Sequence, residues 1–311
     1  MTFIVVGVDG GGSKTRVIVA DEHGTQLGEV VGPGSAVRPP GGAEHSAEVI
    51  AAALQDALAS CEMTHVVPKV LCIGVAGAGR EAERQALWQA LAGRDIAEEV
   101  VIHPDYSIAL DDAFGEGPGV LLISGTGSAA FGRGPTGQSA RCGGWGPVCG
   151  DEGSGAWIGR RALSVVTAAA DGREPETALM GAVLTAAQVN DPRELIAWAA
   201  QATPALFASL APVVTSVADA GDLRANAILS LAVEELVLHV RTLSRSLFGD
   251  ERASTPVAFT GGMLTKGTTL RKRLEHRLKS AVPGAQLHAG EVDPARGAVR
   301  GALRYVGETV P

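Results

Sequence analysis

The sequence predicts an α/β protein made of two related halves, the second richer in helix, and three features carry that reading. Strand-like runs alternate with helix-like runs through the first hundred or so residues. A strand, a glycine turn and a second strand recur, beginning at Phe3 and again at Gly119, roughly 115 residues apart, as an internal duplication requires. Beyond Ser154 the apolar periodicity is mostly that of helices.

The first unit reads Phe3 to Val8 as an apolar strand, Asp9-Gly10-Gly11-Gly12-Ser13-Lys14 as a turn, Thr15 to Ala20 as the returning strand, and Asp21 to Gly24 as a second turn. A helix is expected next from Ala47 to Ser60, then a strand from Val70 to Val75, a helix from Arg80 to Ala92 and a strand from Glu99 to Ile102. Gly115-Glu116-Gly117-Pro118 punctuates the chain and marks a boundary, giving lobes over residues 1–116 and 117–292, with residues 293–311 a last helix expected to pack back on the first lobe. The second copy runs Gly119 to Ile123, turns at Ser124-Gly125-Thr126-Gly127-Ser128, returns over Ala129 to Gly132, and turns at Gly134 to Gly137. Helices are expected at 154–170, 176–187, 192–200 and 222–248. In the last, Leu223, Ala227, Ile228, Leu231, Leu238 and Leu247 form the apolar stripe and Gly249 ends it. A strand from Pro256 to Thr260 leads through Gly261-Gly262 into a helix near Gly267.

With 311 residues, 46% apolar and 19% charged, the chain can bury a sizeable core in two lobes. Its net charge of −8 offers no long-range field to gather nucleic acid or an anionic membrane, so neither is an expected partner and a small molecule fits better. The amino-terminal run lacks a basic flank and meets Asp9 early, and no stretch nears the ~18 apolar residues of a membrane span, so a cytoplasmic protein is expected. Cys61, Cys72, Cys142 and Cys149 form no CxxC pair, so neither a zinc ribbon nor a disulfide framework is indicated.

The loop Asp9 to Thr15 is not a Walker loop, because Ser13 separates the last glycine from Lys14 and the β-branched run after it is a poor helix. What remains is a hairpin loop whose backbone N–H groups hold phosphates, with a carboxylate nearby for hydrated Mg²⁺. Two such loops could clamp a triphosphate. Asp9 is read either as that Mg²⁺-associated carboxylate or as a turn former, and Lys14 as a phosphate contact or a solvated side chain. Thr126 and Ser128 could donate to phosphate, although Gly-Thr-Gly-Ser is also an ordinary tight turn.

These paired loops resemble the sugar-kinase, heat-shock-chaperone and actin superfamily, and within it the N-acetylglucosamine kinase and glucosamine kinase group of BadF-type ATPases. Asp9 to Thr15 matches the first phosphate motif, Ile123 to Ser128 the second, and Thr260-Gly261-Gly262 the nucleoside-binding turn. Most specific is Cys142-Gly-Gly-Trp-Gly-Pro-Val-Cys-Gly-Asp-Glu-Gly-Ser154, which resembles the group's sugar-site segment almost throughout. The resemblance covers nearly the whole chain with the motifs in order.

It implies duplicated ribonuclease-H-like lobes with a cleft between them, ATP and Mg²⁺ as cofactors, an amino sugar as substrate and a homodimer. Its implied phosphate contacts are Gly10, Gly11, Gly12, Ser13, Lys14 and Thr15, then Gly125, Thr126, Gly127 and Ser128, with Gly261 and Gly262. Its implied sugar contacts are Gly77, Asp105, Thr126, Gly144, Trp145, Gly146, Asp151 and Glu152, with Asp105 as the general base and Asp9 holding Mg²⁺ through water. The residues allow other roles for some of these. Asp105 could cap a helix over Ser107 to Phe114, and Asp151 and Glu152 could cap the helix from Ser154. Trp145, among glycines, suits a flat wall for a sugar face. Gly74 to Gly79 resembles a substrate-side segment or is simply a βα turn, and Gly32 to Val37 stands where the group commonly offers an asparagine. Asp111 and Asp112, and the basic run Lys266, Arg271, Lys272, Arg273, Arg277 and Lys279, read as solvated faces. The zinc-binding Cys and His cluster of the neighbouring sugar-kinase group has no counterpart here, so no structural metal is expected.

The function expected is transfer of the γ-phosphate of ATP to the 6-hydroxyl of N-acetylglucosamine or glucosamine. The alternatives are an ATPase that activates a 2-hydroxyacyl-CoA dehydratase or benzoyl-CoA reductase, and a sugar sensor without catalysis.

Overall fold

Each half of the chain builds the same five-stranded sheet. The computed structural model describes residues 3–38 and 41–309, and these pack into two units, one made of the described residues up to 116 together with 292–309, the other Gly117–Glu291.

The first unit contains β1 (Ile4–Gly10), β2 (Lys14–Asp21), β3 (Gln26–Pro33), α1 (Gly42–Ser60), β4 (Val70–Val75), α2 (Glu81–Ala92), β5 (Glu99–Pro104) and α3 (Asp105–Phe114), and is completed by the chain's last helix, α12 (Pro294–Thr309). Its strand order is β3-β2-β1-β4-β5. β1 to β3 are antiparallel neighbours, while β4 and β5 join parallel. Parallel strands ending side by side place their C-terminal turns at one edge of the sheet. That is how Gly10, Val75 and Pro104 come into register. Pro104 is part of the ladder, contrary to the expected end at Ile102, because β5 is an edge strand where a missing N–H is tolerated.

One face of this sheet is covered by α1 and α2 through Ile50, Leu54, Leu87 and Leu91. The other is covered by α12, whose Ala295, Ala298, Val299 and Ala302 meet Val5, Ile18 and Cys72. α12 lies so close to β1 that a Cβ on Gly7 would stand 2.5 Å from the Ala295 carbonyl oxygen. Asp111 and Asp112 are not a solvated face. Asp112 pairs with Arg300 and accepts the Asp293 N–H at 2.8 Å, and Asp111 pairs with Arg304, so both fasten α3 to α12. The cations lie 188 and 193 residues further along the chain, beyond the reach of any local pattern.

The second unit contains β6 (Gly119–Ser124), β7 (Ser128–Arg133), β8 (Ser139–Gly143), α4 (Gly146–Cys149), α5 (Gly155–Ala170), α6 (Leu179–Ala187), α7 (Leu195–Gln201), α8 (Pro204–Ala208), α9 (Ala211–Asp219), α10 (Leu223–Phe248), β9 (Thr255–Thr260), α11 (Thr269–Ala281) and β10 (Ala285–Leu287). The order β10-β9-β6-β7-β8 repeats that of the first sheet, with the same parallel and antiparallel senses. The duplication is therefore one of topology as well as of motif.

Asp222 caps α10, accepting the N–H groups of Arg224 and Ala225 at 2.9 Å each. Its buried face carries Ala225, Ile228, Leu229, Ala232, Val233, Leu236, Val237, Val240, Leu243 and Leu247. Of the expected stripe, Ile228 and Leu247 are inside, whereas Leu223, Leu231 and Leu238 are 84%, 49% and 47% exposed. The core side is the broader one, set by α5, α9 and the sheet. In the basic run Arg271 is buried, donates to the Leu264 carbonyl and to Glu275, and stacks on Phe259. The expected helix at 176–187 begins only at Leu179, and 192–200 divides into a short 3-10 turn and α7.

Candidate active site

In the first unit the candidate residues gather where β1, β4 and β5 end. Gly11 and Lys14 close the hairpin loop with an N–H to carbonyl bond of 2.9 Å. Ala36 donates to Gly11 at 3.1 Å and Val37 to Ala76 at 2.9 Å, so the segment after β3 braces both the glycine loop and the Gly77 turn. Gly34 and Ser35 also press on the loop, and Arg38 reaches the Gly12 carbonyl at 3.3 Å. The segment Gly32 to Val37 is thus the loop's own support. Gly12, Ser13 and Lys14 are exposed, whereas Thr15 is wholly buried and donates its hydroxyl to Ser35 at 2.8 Å. Thr15 holds the hairpin from inside, and its side chain is out of a ligand's reach.

Asp9 lies one residue before the end of β1, and Asp105 opens α3 at the end of β5. Asp105 belongs to the first turn of α3, which starts two residues earlier than expected, with Pro104 at the cap position. Its Oδ1 accepts the Tyr106 N–H at 3.0 Å, a bond that helps hold the ionised form against the helix N-terminus. Burial nevertheless raises the Asp105 carboxyl above its usual range. Asp9 is pushed up to about 6, first by burial and then by the charge of Asp105, with Lys14 pulling the other way. Asp293, at the start of α12, adds to the negative field, and Arg16 offsets it while bridging Glu29 and Asp293. Asp9, Asp105 and Asp293 face Lys14 and an Arg16 already paired with Glu29 and Asp293, so the site is short of free positive charge, which is the electrostatic condition for taking a cation beside phosphate oxygens.

In the second unit the glycine loop, the Asp151 segment and the Gly261 turn are one assembly. Gly125 and Gly127 close the loop at 2.9 Å, as Gly11 and Lys14 do in the first. The start of α5 is stitched to it: Gly155 donates to Gly125 at 2.8 Å and Ala156 to Thr126 at 3.2 Å. Ser128 donates its hydroxyl to the Glu152 carbonyl at 2.6 Å, and Ser124 to that of Gly153 at 3.0 Å. A Cβ on Gly261, at φ +95°, would lie 2.3 Å from the Ser124 carbonyl oxygen, so the nucleoside-type turn touches the loop. Thr126 is exposed at its tip.

Asp151 does not cap α5; Ser154 does, accepting the Trp157 N–H at 3.2 Å. Asp151 instead adopts a left-handed backbone, φ +61°, and turns its carboxylate toward the loop, 3.5 Å from the Ser128 N–H. Burial raises its carboxyl. Such strain in a non-glycine residue is typical of functional positions. Glu152 is half-buried beside it. Gly143, Gly144 and Gly146 are all left-handed, and Trp145 among them is 68% exposed, with the Arg141 guanidinium 4.9 Å over its ring. Arg141 and Ser35 are not legible as site residues in the sequence, because what matters about them is a contact with a turn rather than a motif.

Residues 6–302 match the BadF/BadG/BcrA/BcrD ATPase family. The chain is 30% identical over 313 residues to an N-acetyl-D-glucosamine kinase from Dictyostelium discoideum, covering 96% of this chain and 98% of that one. It is also 30% identical over 297 residues to an N-acetylmuramic acid/N-acetylglucosamine kinase from Clostridium acetobutylicum, covering 95% and 96%. Among solved structures, a Chromobacterium violaceum protein named by inference an N-acetylglucosamine kinase superposes with a TM-score of 0.80 at 30% identity, over 96% of this chain and 98% of that one.

Proposed function

Because the chain belongs to the BadF/BadG/BcrA/BcrD ATPase family, we propose that it is an ATP-dependent amino-sugar kinase acting on the 6-hydroxyl of N-acetylglucosamine or glucosamine. The observation that carries this reading is the bonding of the Asp151 to Ala156 segment directly onto the Gly125 to Ser128 loop, which links a sugar-type motif to a phosphate-type one. The full-length relatives that act on amino sugars support it further. They also weigh against the dehydratase-activator alternative.

In this mechanism the loop amides at Gly12, Ser13, Thr126 and Gly127 bind phosphate oxygens, and the Gly261-Gly262 turn takes the nucleoside. Asp151 and Glu152 accept hydrogen bonds from sugar hydroxyls, and Trp145 covers an apolar face of the ring. Asp105 accepts the proton of the 6-hydroxyl as its oxygen bonds the γ-phosphorus; the bond from that phosphorus to the β-γ bridging oxygen breaks, and ADP leaves. A carboxyl raised by burial is a better base than an ordinary aspartate. The crowded Asp9 and Asp105 carboxylates fit a Mg²⁺ ion held near Asp9, which when bound neutralises phosphate charge. A homodimer in the cytoplasm completes the reading. No single described helix is long and apolar enough to cross a membrane.

The test is an ADP-release screen with Mg-ATP over N-acetylglucosamine, glucosamine, N-acetylmannosamine, N-acetylmuramic acid and glucose. An amino sugar is expected to give the highest kcat/KM. ATP turnover indifferent to every sugar would overturn the proposal.

A further inference from the structure

We infer that His239 is a positioning residue for the Gly143 to Gly146 turn and through it sets the affinity for the sugar, an inference that rests on the amino-sugar kinase reading. His239 lies on α10, 5% exposed, with its ring against the end of β8. Its Nδ1 stands 2.7 Å from the Glu235 carbonyl oxygen, which can only accept, so Nδ1 carries a proton and donates, leaving Nε2 as the ring's other polar atom. That Nε2 is buried and has no hydrogen-bond partner among the described residues. It is aimed at Gly143: a Cβ there would come within 2.2 Å of it and within 2.6 Å of Cδ2. A leucine of similar size would fill the space but has nothing to donate to the Glu235 carbonyl, so the bond that fixes the ring's orientation under Gly143 would be lost.

The turn that the ring faces is what that orientation supports. Gly143, Gly144 and Gly146 have φ of +75°, +71° and +84°, and three glycines in four residues have almost no side chain with which to hold a shape. The turn must be held from outside. β7 supplies one support, the bond from the Gly144 N–H to the Ser128 carbonyl at 3.1 Å. α10 supplies the other, with His239 under Gly143 and Thr242, one turn on, beside Cys142. Trp145 leaves the turn two residues after Gly143. A shift of the imidazole edge therefore moves the indole that this reading makes the sugar wall, while the Gly125 to Ser128 loop, which meets the turn at Ser128, is also anchored by α5 at Gly125 and Thr126.

The test is His239→Leu, which keeps bulk and removes the donor to Glu235, beside His239→Gln, whose amide N–H can still donate to it. Steady-state kinetics of the full chain are read with hydrogen exchange of the amides of residues 142–150. In the Leu variant the sugar KM is expected to rise about tenfold, with kcat and the ATP KM within about twofold, and in the Gln variant to stay within about threefold. Exchange should quicken only in the Leu variant. An unchanged sugar KM and unchanged exchange in folded His239→Leu would overturn the inference. Should the Leu variant not fold, Gly143→Ala presses on the ring from the other side and should raise the sugar KM alike; an unaffected KM there would be as damaging. If the unmodified protein phosphorylates no amino sugar, the functional reading falls by itself, and the exchange rates still decide what His239 holds.

Discussion

Asp151 stands where a side chain on Gly127 would have to go. A Cβ at position 127 would lie 2.8 Å from Oδ2 of Asp151 and 3.1 Å from its Cγ. The phosphate-type loop and the sugar-type carboxylate therefore share one van der Waals boundary, and neither can move without the other. Gly127→Ala is expected to displace Asp151 and lower kcat/KM for the sugar by about 10²-fold, the scale of an ångström-level misplacement. Asp151→Asn, which preserves the shape, should raise the sugar KM while leaving the ATP KM near its original value. Initial-rate measurements varying each substrate separate the two outcomes.

Asp105→Asn removes the proposed proton acceptor and keeps the size. Turnover is expected to fall by roughly 10² or more, the usual loss with a general base. Calorimetric affinities for sugar and nucleotide should be nearly unchanged. Near-normal kcat would remove Asp105 from the chemistry.

Asp9 titrates near 6 in the folded protein, against an ordinary value of 3.8, because burial and Asp105 disfavour its charge. The folded state therefore binds a proton more tightly than the unfolded one, so stability falls as pH rises from about 4 to about 6 and the whole cost is present above that. Asp9→Asn carries no such charge. In ligand-free protein the variant should be the more stable by up to about 3 kcal/mol at pH 7, the gap closing below pH 4. Chemical denaturation across that range measures it. A variant less stable than the parent at pH 7 would show that the carboxylate is already compensated.

Trp145→Ala should raise the sugar KM well above any change in the ATP KM, since the indole is exposed and contributes little to the core. The melting temperature should shift little, and equal effects on both substrates would exclude a sugar wall.

Asp112 is almost wholly covered, yet it accepts the Asp293 N–H and pairs with Arg300. Asp112→Ala should cost about 2 kcal/mol or more by leaving that N–H unpaired, whereas Arg296→Ala, at an exposed pair with Asp293, should cost well under 1 kcal/mol. Thermal melts of the two variants compare them directly.

The motifs are legible because each sits in a few consecutive residues whose turn chemistry is written in glycine. β1, β2, β4 and the Gly125 loop can be read from that directly. β3, β8 and β10 are not, because Gln26–Pro33 and Ser139–Gly143 mix polar and small residues, and a three-residue edge strand such as Ala285–Leu287 has almost no periodicity. α10 misleads in a different way. Leucines at 223, 231 and 238 share a narrow face, but the neighbouring elements cover the alanine- and valine-rich side. Asp111, Asp112 and Arg271 read as solvated because their partners belong to other elements or lie off the expected face. The Asp9 and Asp105 juxtaposition is likewise invisible until β4 is seen to lie between β1 and β5.

The placement of α12 has a consequence for how the polypeptide matures on the ribosome. The sheet that carries Asp9 is translated before residues 117–291, but the helix that covers its β1 and β4 face is translated after them. Residues 117–291 can reach their native arrangement while the earlier half still waits with Val5, Ile18 and Cys72 uncovered. A nascent product cut short before Pro294 would carry every glycine motif and both acidic side chains, yet it would expose an oily sheet face to chaperones and proteases.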